Sequence, residues 1–111
     1  MKKKKRLDRL LSATMSLFKP RYRYRMKAHN PIRIHKGIIY IVQDGLEADS
    51  LFFKCPCGCK TTICLNLLKD TRPCWSFSVK KGRITISPSI WAKAGCGSHF
   101  LIREGKVVWV R

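Results

Sequence analysis

Acidic side chains are scarce in this chain: six Asp and Glu stand against 24 Lys and Arg in 111 residues, a formal charge of +18. Such a field attracts polyanions and steers them in a salt-dependent way, and nucleic acid is the commonest cellular polyanion. A merely solvated basic arm explains the same excess. Long apolar runs are missing too. None approaches the roughly eighteen residues of a membrane span, and the stretch "LDRLLSATMSLF" after the basic "MKKKKR" is interrupted by Asp8 and Arg9, which disfavours a signal peptide. The expectation is a cytoplasmic protein. Absent as well are the H-E-x-x-H and H-x-E patterns that mark a hydrolytic zinc with its carboxylate base, and any internal repeat.

What the chain does have is six cysteines. A domain of this length buries only about 60 to 70% of its unfolded surface, so a staple is useful. In a reducing compartment, clustered cysteines favour a metal over disulfides.

The basic excess is densest at the start, where residues 1–30 hold 11 Lys and Arg against Asp8 alone. Leu7, Leu10, Leu11, Met15 and Phe18 fall at helical spacing, so residues 6–18 are predicted to form an amphipathic helix ended by Pro20. In "RYRYR" an extended backbone puts Arg21, Arg23 and Arg25 on one side and Tyr22 and Tyr24 on the other. With Lys27, these arginines suit phosphates and the tyrosines suit base stacking. An edge strand with its tyrosines packed inward is the competing explanation.

From residue 31 onward the pattern becomes short runs of β-branched and aromatic residues separated by Gly, Pro and Asp, such as "GIIYIV", "LFFKC", "TTICLNLL", "RITIS", "HFLIR" and "KVVWV". These read as strands joined by turns, with Lys81-Gly82 and Glu104-Gly105 as hairpin signals. The expected fold is mainly β: a small antiparallel domain over residues 31–111, zinc-ribbon-like or Rieske-like, stapled by one metal and preceded by a basic helix and arm over residues 1–30.

Metal ligands are suggested by two separated clusters. "CPCGC" presents Cys55, Cys57 and Cys59, and 37 residues later "GCGSHF" presents Cys96 and His99. Pro56 and Gly58 bend the first segment, and Gly95 and Gly97 loosen the second. Five groups compete for the four positions of a tetrahedral zinc site. The expected set is Cys55, Cys57, Cys96 and His99, with Cys59 as the alternative ligand. Cys64 and Cys74 lie in strand-like runs and are expected as small buried apolar residues. His29 and His35 have no partner motif and are read as polar surface residues. A shell filled by thiolates and one histidine leaves no open position, so a structural metal is expected and catalysis is disfavoured.

The CPCG start resembles small zinc motifs in which the first and third residues of C-P-C bind the metal. The C-x-C and C-x-x-H layout also resembles the two loops of Rieske proteins, although those place His as the second group of the first loop. A [2Fe-2S] cluster is therefore the alternative cofactor to Zn2+. Taken together, "CPCGC", "ITISPSIW", "GCGSHFLI" and "GKVVWV" resemble a domain-of-unknown-function family of small bacterial and phage proteins over roughly residues 31–111. The resemblance implies an almost entirely β metal-binding core. Some members are encoded beside ubiquitin-like conjugation genes. Others carry an ammonia monooxygenase label, which these residues do not support, for they include no copper-type histidine cluster.

Trp75, Phe77, Ser87, Ser89 and Trp91 surround the proline turn of "SPSIW" and suggest a shallow protein or peptide contact surface, with core packing as the simpler account of the tryptophans. The functional expectation is a non-enzymatic zinc-binding adaptor for a protein or nucleic acid partner, linked to a ubiquitin-like conjugation system. An iron-sulfur redox protein is the alternative. A metal hydrolase acting on a peptide or isopeptide bond is a third reading, which rests on genomic company alone.

Overall fold

The computed structural model of the protein describes residues 22–110. The helix expected at residues 6–18, Arg21 and most of the basic arm lie outside them. Eight strands follow one another: β1 (Arg23–Lys27), β2 (Ile38–Gln43), β3 (Ala48–Lys54), β4 (Thr62–Asn66), β5 (Ser76–Lys80), β6 (Arg83–Trp91), β7 (His99–Arg103) and β8 (Lys106–Trp109). They form two four-stranded sheets in sequence order, β1 to β4 and β5 to β8. The all-β expectation holds. All neighbouring strands are antiparallel except β1 and β2, which run parallel. No helix among the described residues is long and apolar enough to cross a membrane.

Alternation decides which side chains meet. In β4, Ile63 and Leu65 turn inward while Thr62 and Cys64 turn out, because successive strand residues face opposite sides. Cys64 is therefore exposed, not a buried apolar residue as the sequence suggested, and Cys74 is half-buried. Both hairpin turns fold as expected: Lys81 and Gly82 have φ of 51° and 77°, Glu104 and Gly105 51° and 80°. Two consecutive positive φ values match the twist of the strands they join.

The sheet begins earlier than residue 31. β1 lies within the segment read as an arm, and it joins because Tyr22 and Tyr24 supply apolar area: Tyr22 is buried and Tyr24 packs against the core. The Tyr22 hydroxyl donates to Lys54 O at 2.6 Å, and its N–H donates to Gly105 O at 2.8 Å. Burial pushes the Tyr22 phenol well above its ordinary pKa.

One core fills the space between the sheets, from Ile39, Ile41, Leu51 and Phe53 on one side to Ile84, Ile86, Phe100 and Ile102 on the other. Phe53 stands at its centre. Its ring meets Tyr22 edge-on at 5.4 Å and Phe100 at 6.4 Å, so one side chain links β3, the start of β1 and the opposite sheet. Phe53→Ala is expected to destabilise the domain by about 3–5 kcal/mol, read as a lower midpoint in urea with an unchanged slope.

Candidate functional site

Two loops meet at one end of the sheets. After β3, the Cys55 N–H donates to Thr61 O at 2.9 Å, closing a loop that turns through Gly58 at φ 92° and Lys60 at φ 69°. After β6, the Ala92 N–H donates to Ser98 O at 2.7 Å and the Gly97 N–H to Ala92 O at 2.8 Å, with Gly97 at φ 81°. These closures aim four sulfurs at one point. The Sγ atoms of Cys55, Cys57, Cys59 and Cys96 all lie within 4.8 Å of one another. Cys55 is 3.5 Å from Cys57 and 3.6 Å from Cys96, and Cys57 is 3.5 Å from Cys96. A tetrahedral ion with bonds of about 2.3 Å would hold its sulfurs about 3.8 Å apart, so the donor set fits a single metal ion.

The thiols are unequal before a metal reaches them. The Ser98 hydroxyl, 3.1 Å from Cys96 Sγ, and the Ser98 amide pull the Cys96 pKa down to about 6. Thr61 lowers that of Cys59 in the same way. Burial pushes Cys55 up to about 12, and ligation by a cation would offset that desolvation.

The fourth sulfur of the cluster comes from Cys59, which stands where the sequence reading placed His99. His99 is engaged elsewhere: its Nε2 lies 2.9 Å from Ser89 Oγ. The physical reason is strand alternation together with a bulge. Between the Ile86–Ile102 and Ile90–Phe100 pairs, β6 uses two more residues than β7. Such an insertion re-aims side chains. Ile90 and Phe100 keep to the core, while Ser89, Trp91 and His99 share the other face.

Two tryptophans hold this pair. The Trp91 ring stacks on the imidazole with centroids 5.3 Å apart and planes inclined by 16°, and Lys93 Nζ sits 4.8 Å from the Trp91 centroid. The Trp75 indole N–H donates to Ser89 O at 3.1 Å. Among the described residues no carboxylate hydrogen-bonds to His99, so the ring is steadied by stacking. An imidazole with its proton on Nδ1 accepts the serine proton at Nε2, which is how a hydroxyl becomes an activated nucleophile.

The other expected site residues fall into place around these two centres. Trp75 and Phe77 are half-buried against the core, as packing alone would have it, whereas Ser87 and Trp91 are exposed. Arg23, Arg25 and Lys27 are exposed on β1; Tyr22 is buried in the core and Tyr24, half-buried, packs against it. A cavity of about 650 Å3 is lined by Arg25, Lys27, His29, Arg33 and His35. A second, of about 460 Å3, shares Arg33 and His35 and adds Lys36, Lys54 and Lys60. No carboxylate lines either. The partnership of Ser89 with His99 escaped the sequence reading. Its signal was the pairing of "SPSIW" with "SHF", which sets Trp91 opposite His99.

Neither a curated protein nor a solved structure matches the chain. A family model does, over residues 26–110, from the end of β1 to just past β8; its description is "Bacterial ubiquitination-like system serine protease (BubE)". With most of its length matched by that model, the chain belongs to this bacterial ubiquitination-like system family.

Proposed function

We propose that this protein is a serine hydrolase of a bacterial ubiquitination-like system, with Ser89 as nucleophile, His99 as its base and a zinc ion on the four cysteines as a structural staple. The 2.9 Å contact between Ser89 Oγ and His99 Nε2 carries this reading. The family description, which names a serine protease, supports it. The substrate class is a ubiquitin-like protein joined through a peptide or isopeptide bond.

The chemistry follows from the pair. Ser89 Oγ attacks the scissile carbonyl while His99 Nε2 takes its proton; the imidazolium then returns that proton to the departing amine, leaving an acyl-serine. A water molecule, deprotonated by His99, releases the acid and restores Ser89. Trp91 keeps the imidazole in plane through both proton transfers. A bound zinc would supply no reacting atom, because four thiolates complete its shell. It would hold the loop from Ala92 to Ser98, which delivers His99. A set of sulfurs all within 4.8 Å suits one ion, whereas a [2Fe-2S] cluster divides its ligands between two irons.

Ser89→Ala should lower turnover of a ubiquitin-like fusion by at least about a thousandfold without changing the melting temperature by more than a few degrees, and should abolish labelling by a fluorophosphonate. Unchanged cleavage would leave the non-enzymatic adaptor as the function. Elemental analysis should give about one zinc per chain, and the visible spectrum should lack cluster bands; Cys57→Ser should lose most of the metal and melt roughly 10 °C lower or more.

A second activity is supported by the two basic cavities around Arg33 and His35, which have no carboxylate in their walls. This surface, with Arg23, Arg25 and Lys27, suits a nucleic acid backbone. Affinity for a single-stranded oligonucleotide should fall roughly a hundredfold between 50 and 200 mM salt, and Arg25→Glu with Arg33→Glu should remove most of it. A salt-independent affinity would count against this surface.

A further inference from the structure

The nine-residue β6 is longer than its neighbour. Five-residue β5 accompanies it only as far as Ser87, whose partner is Ser76. Beyond that point the chain turns away: the Trp75 N–H donates across to Asn66 O at 2.8 Å. From Pro88 to Trp91, then, the β5 side of β6 has no strand beside it among the described residues.

Hydrogen bonding on the other side shows which groups this leaves free. A strand residue sends its N–H and C=O to the same edge, and antiparallel pairs alternate between those that exchange hydrogen bonds and those that do not. His99 O accepts from Val110 N at 2.9 Å, so the polar groups of His99 face β8. Its partner Trp91 therefore belongs to a pair without mutual hydrogen bonds, and the Trp91 N–H and C=O point away from β7. The next residue agrees, since the Ala92 N–H turns back to Ser98 O. So does Ser89, two residues earlier, whose carbonyl is met on the open side by the Trp75 indole.

We propose that the substrate docks on this open edge as an added strand: an extended peptide segment exchanges backbone hydrogen bonds with the N–H and C=O of Trp91 and carries its scissile carbonyl to Ser89. The proposal rests on the serine-hydrolase reading and deepens it. An unpaired edge is a template for an extended peptide. An added strand runs about 4.8 Å from β6, so a segment bonded to Trp91 passes directly beside Ser89. The Trp75 indole, already on Ser89 O, ends the free edge there and limits how far the added strand can pair. Recognition through backbone groups favours a substrate segment without structure of its own, such as the carboxyl-terminal tail through which a ubiquitin-like protein is joined to its targets.

The test uses the full chain and a ten-residue peptide from the carboxyl terminus of the system's ubiquitin-like protein, capped with a fluorogenic aminocoumarin amide. N-methylation is walked along the peptide one residue at a time. Strand addition predicts that methylation at one position, the residue whose N–H meets Trp91 O, costs about tenfold or more in kcat/KM, the cost of a backbone hydrogen bond, while methylation of the residues on either side changes little. In Ser89→Ala, which binds without turnover, the unmethylated peptide should slow hydrogen exchange at the Trp91 amide about tenfold. A methylation profile with no such single sensitive position, or Trp91 exchange unaltered by the peptide, overturns the docking mode. Fluorophosphonate labelling of Ser89 separates the two ideas. A labelled, active enzyme with unprotected Trp91 loses the docking mode alone, whereas an unlabelled Ser89 overturns the hydrolase reading and, with it, this proposal.

Discussion

Four sulfurs brought to one point are the constraint on which the rest of this small domain depends. Three come from the loop that leaves β3, in the first sheet, and the fourth from the loop that leaves β6, in the second. Apolar packing holds the sheets face to face through the Tyr22, Phe53 and Phe100 rings, but packing is non-directional and tolerates sliding. A tetrahedral ion does not. It would set the distance and angle between the loops, and with three of its four cysteines exposed the restraint would come from coordination and not from depth in the core.

That restraint reaches the chemistry through three residues. Cys96 is followed by Gly97, Ser98 and His99, and the short loop is closed by its own backbone bonds. The position of the imidazole is thus tied to the sulfur cluster. Ser89 reaches the same place from another direction. It stands in the bulge of β6, with its carbonyl held by Trp75 and its hydroxyl on His99. Ser89 and His99 are each fixed by local backbone geometry, and the stacked Trp91 ring steadies the imidazole; in the proposed hydrolase that ring would do what a carboxylate does in many serine hydrolases.

Sequence reasoning reached the strands because their side chains alternate and their turns carry glycine. It also found both halves of the cysteine cluster, since Cys55, Cys57, Cys59 and Cys96 stand out by spacing. It favoured His99 over its alternative, Cys59, as the fourth member of the cluster, whereas the structure brings the Cys59 sulfur to the other three. Both lie close enough along the chain to serve, and the choice depends on which face of β7 the imidazole takes. That in turn depends on the register between β6 and β7, which a two-residue insertion shifts. The same insertion hid the partnership of Ser89 with His99; Ser89 itself read as part of a contact surface with Trp75, Phe77, Ser87 and Trp91. The tyrosines of "RYRYR" were ambiguous for a related reason: local alternation places them on one side but does not say whether that side meets solvent or a second sheet.

The bulge in β6 also separates the scaffold from its chemistry. The pairs on either side of it, Ile86 with Ile102 and Ile90 with Phe100, are ordinary core contacts, and neither needs the residues between them. A descendant chain that lost two of those residues could close the ladder into a regular hairpin, keep its core and its cysteine cluster, and no longer present a serine to the histidine. Loss of the serine–histidine pair and loss of the fold are therefore separable events, because neither the core pairs nor the cysteine cluster depends on the inserted residues.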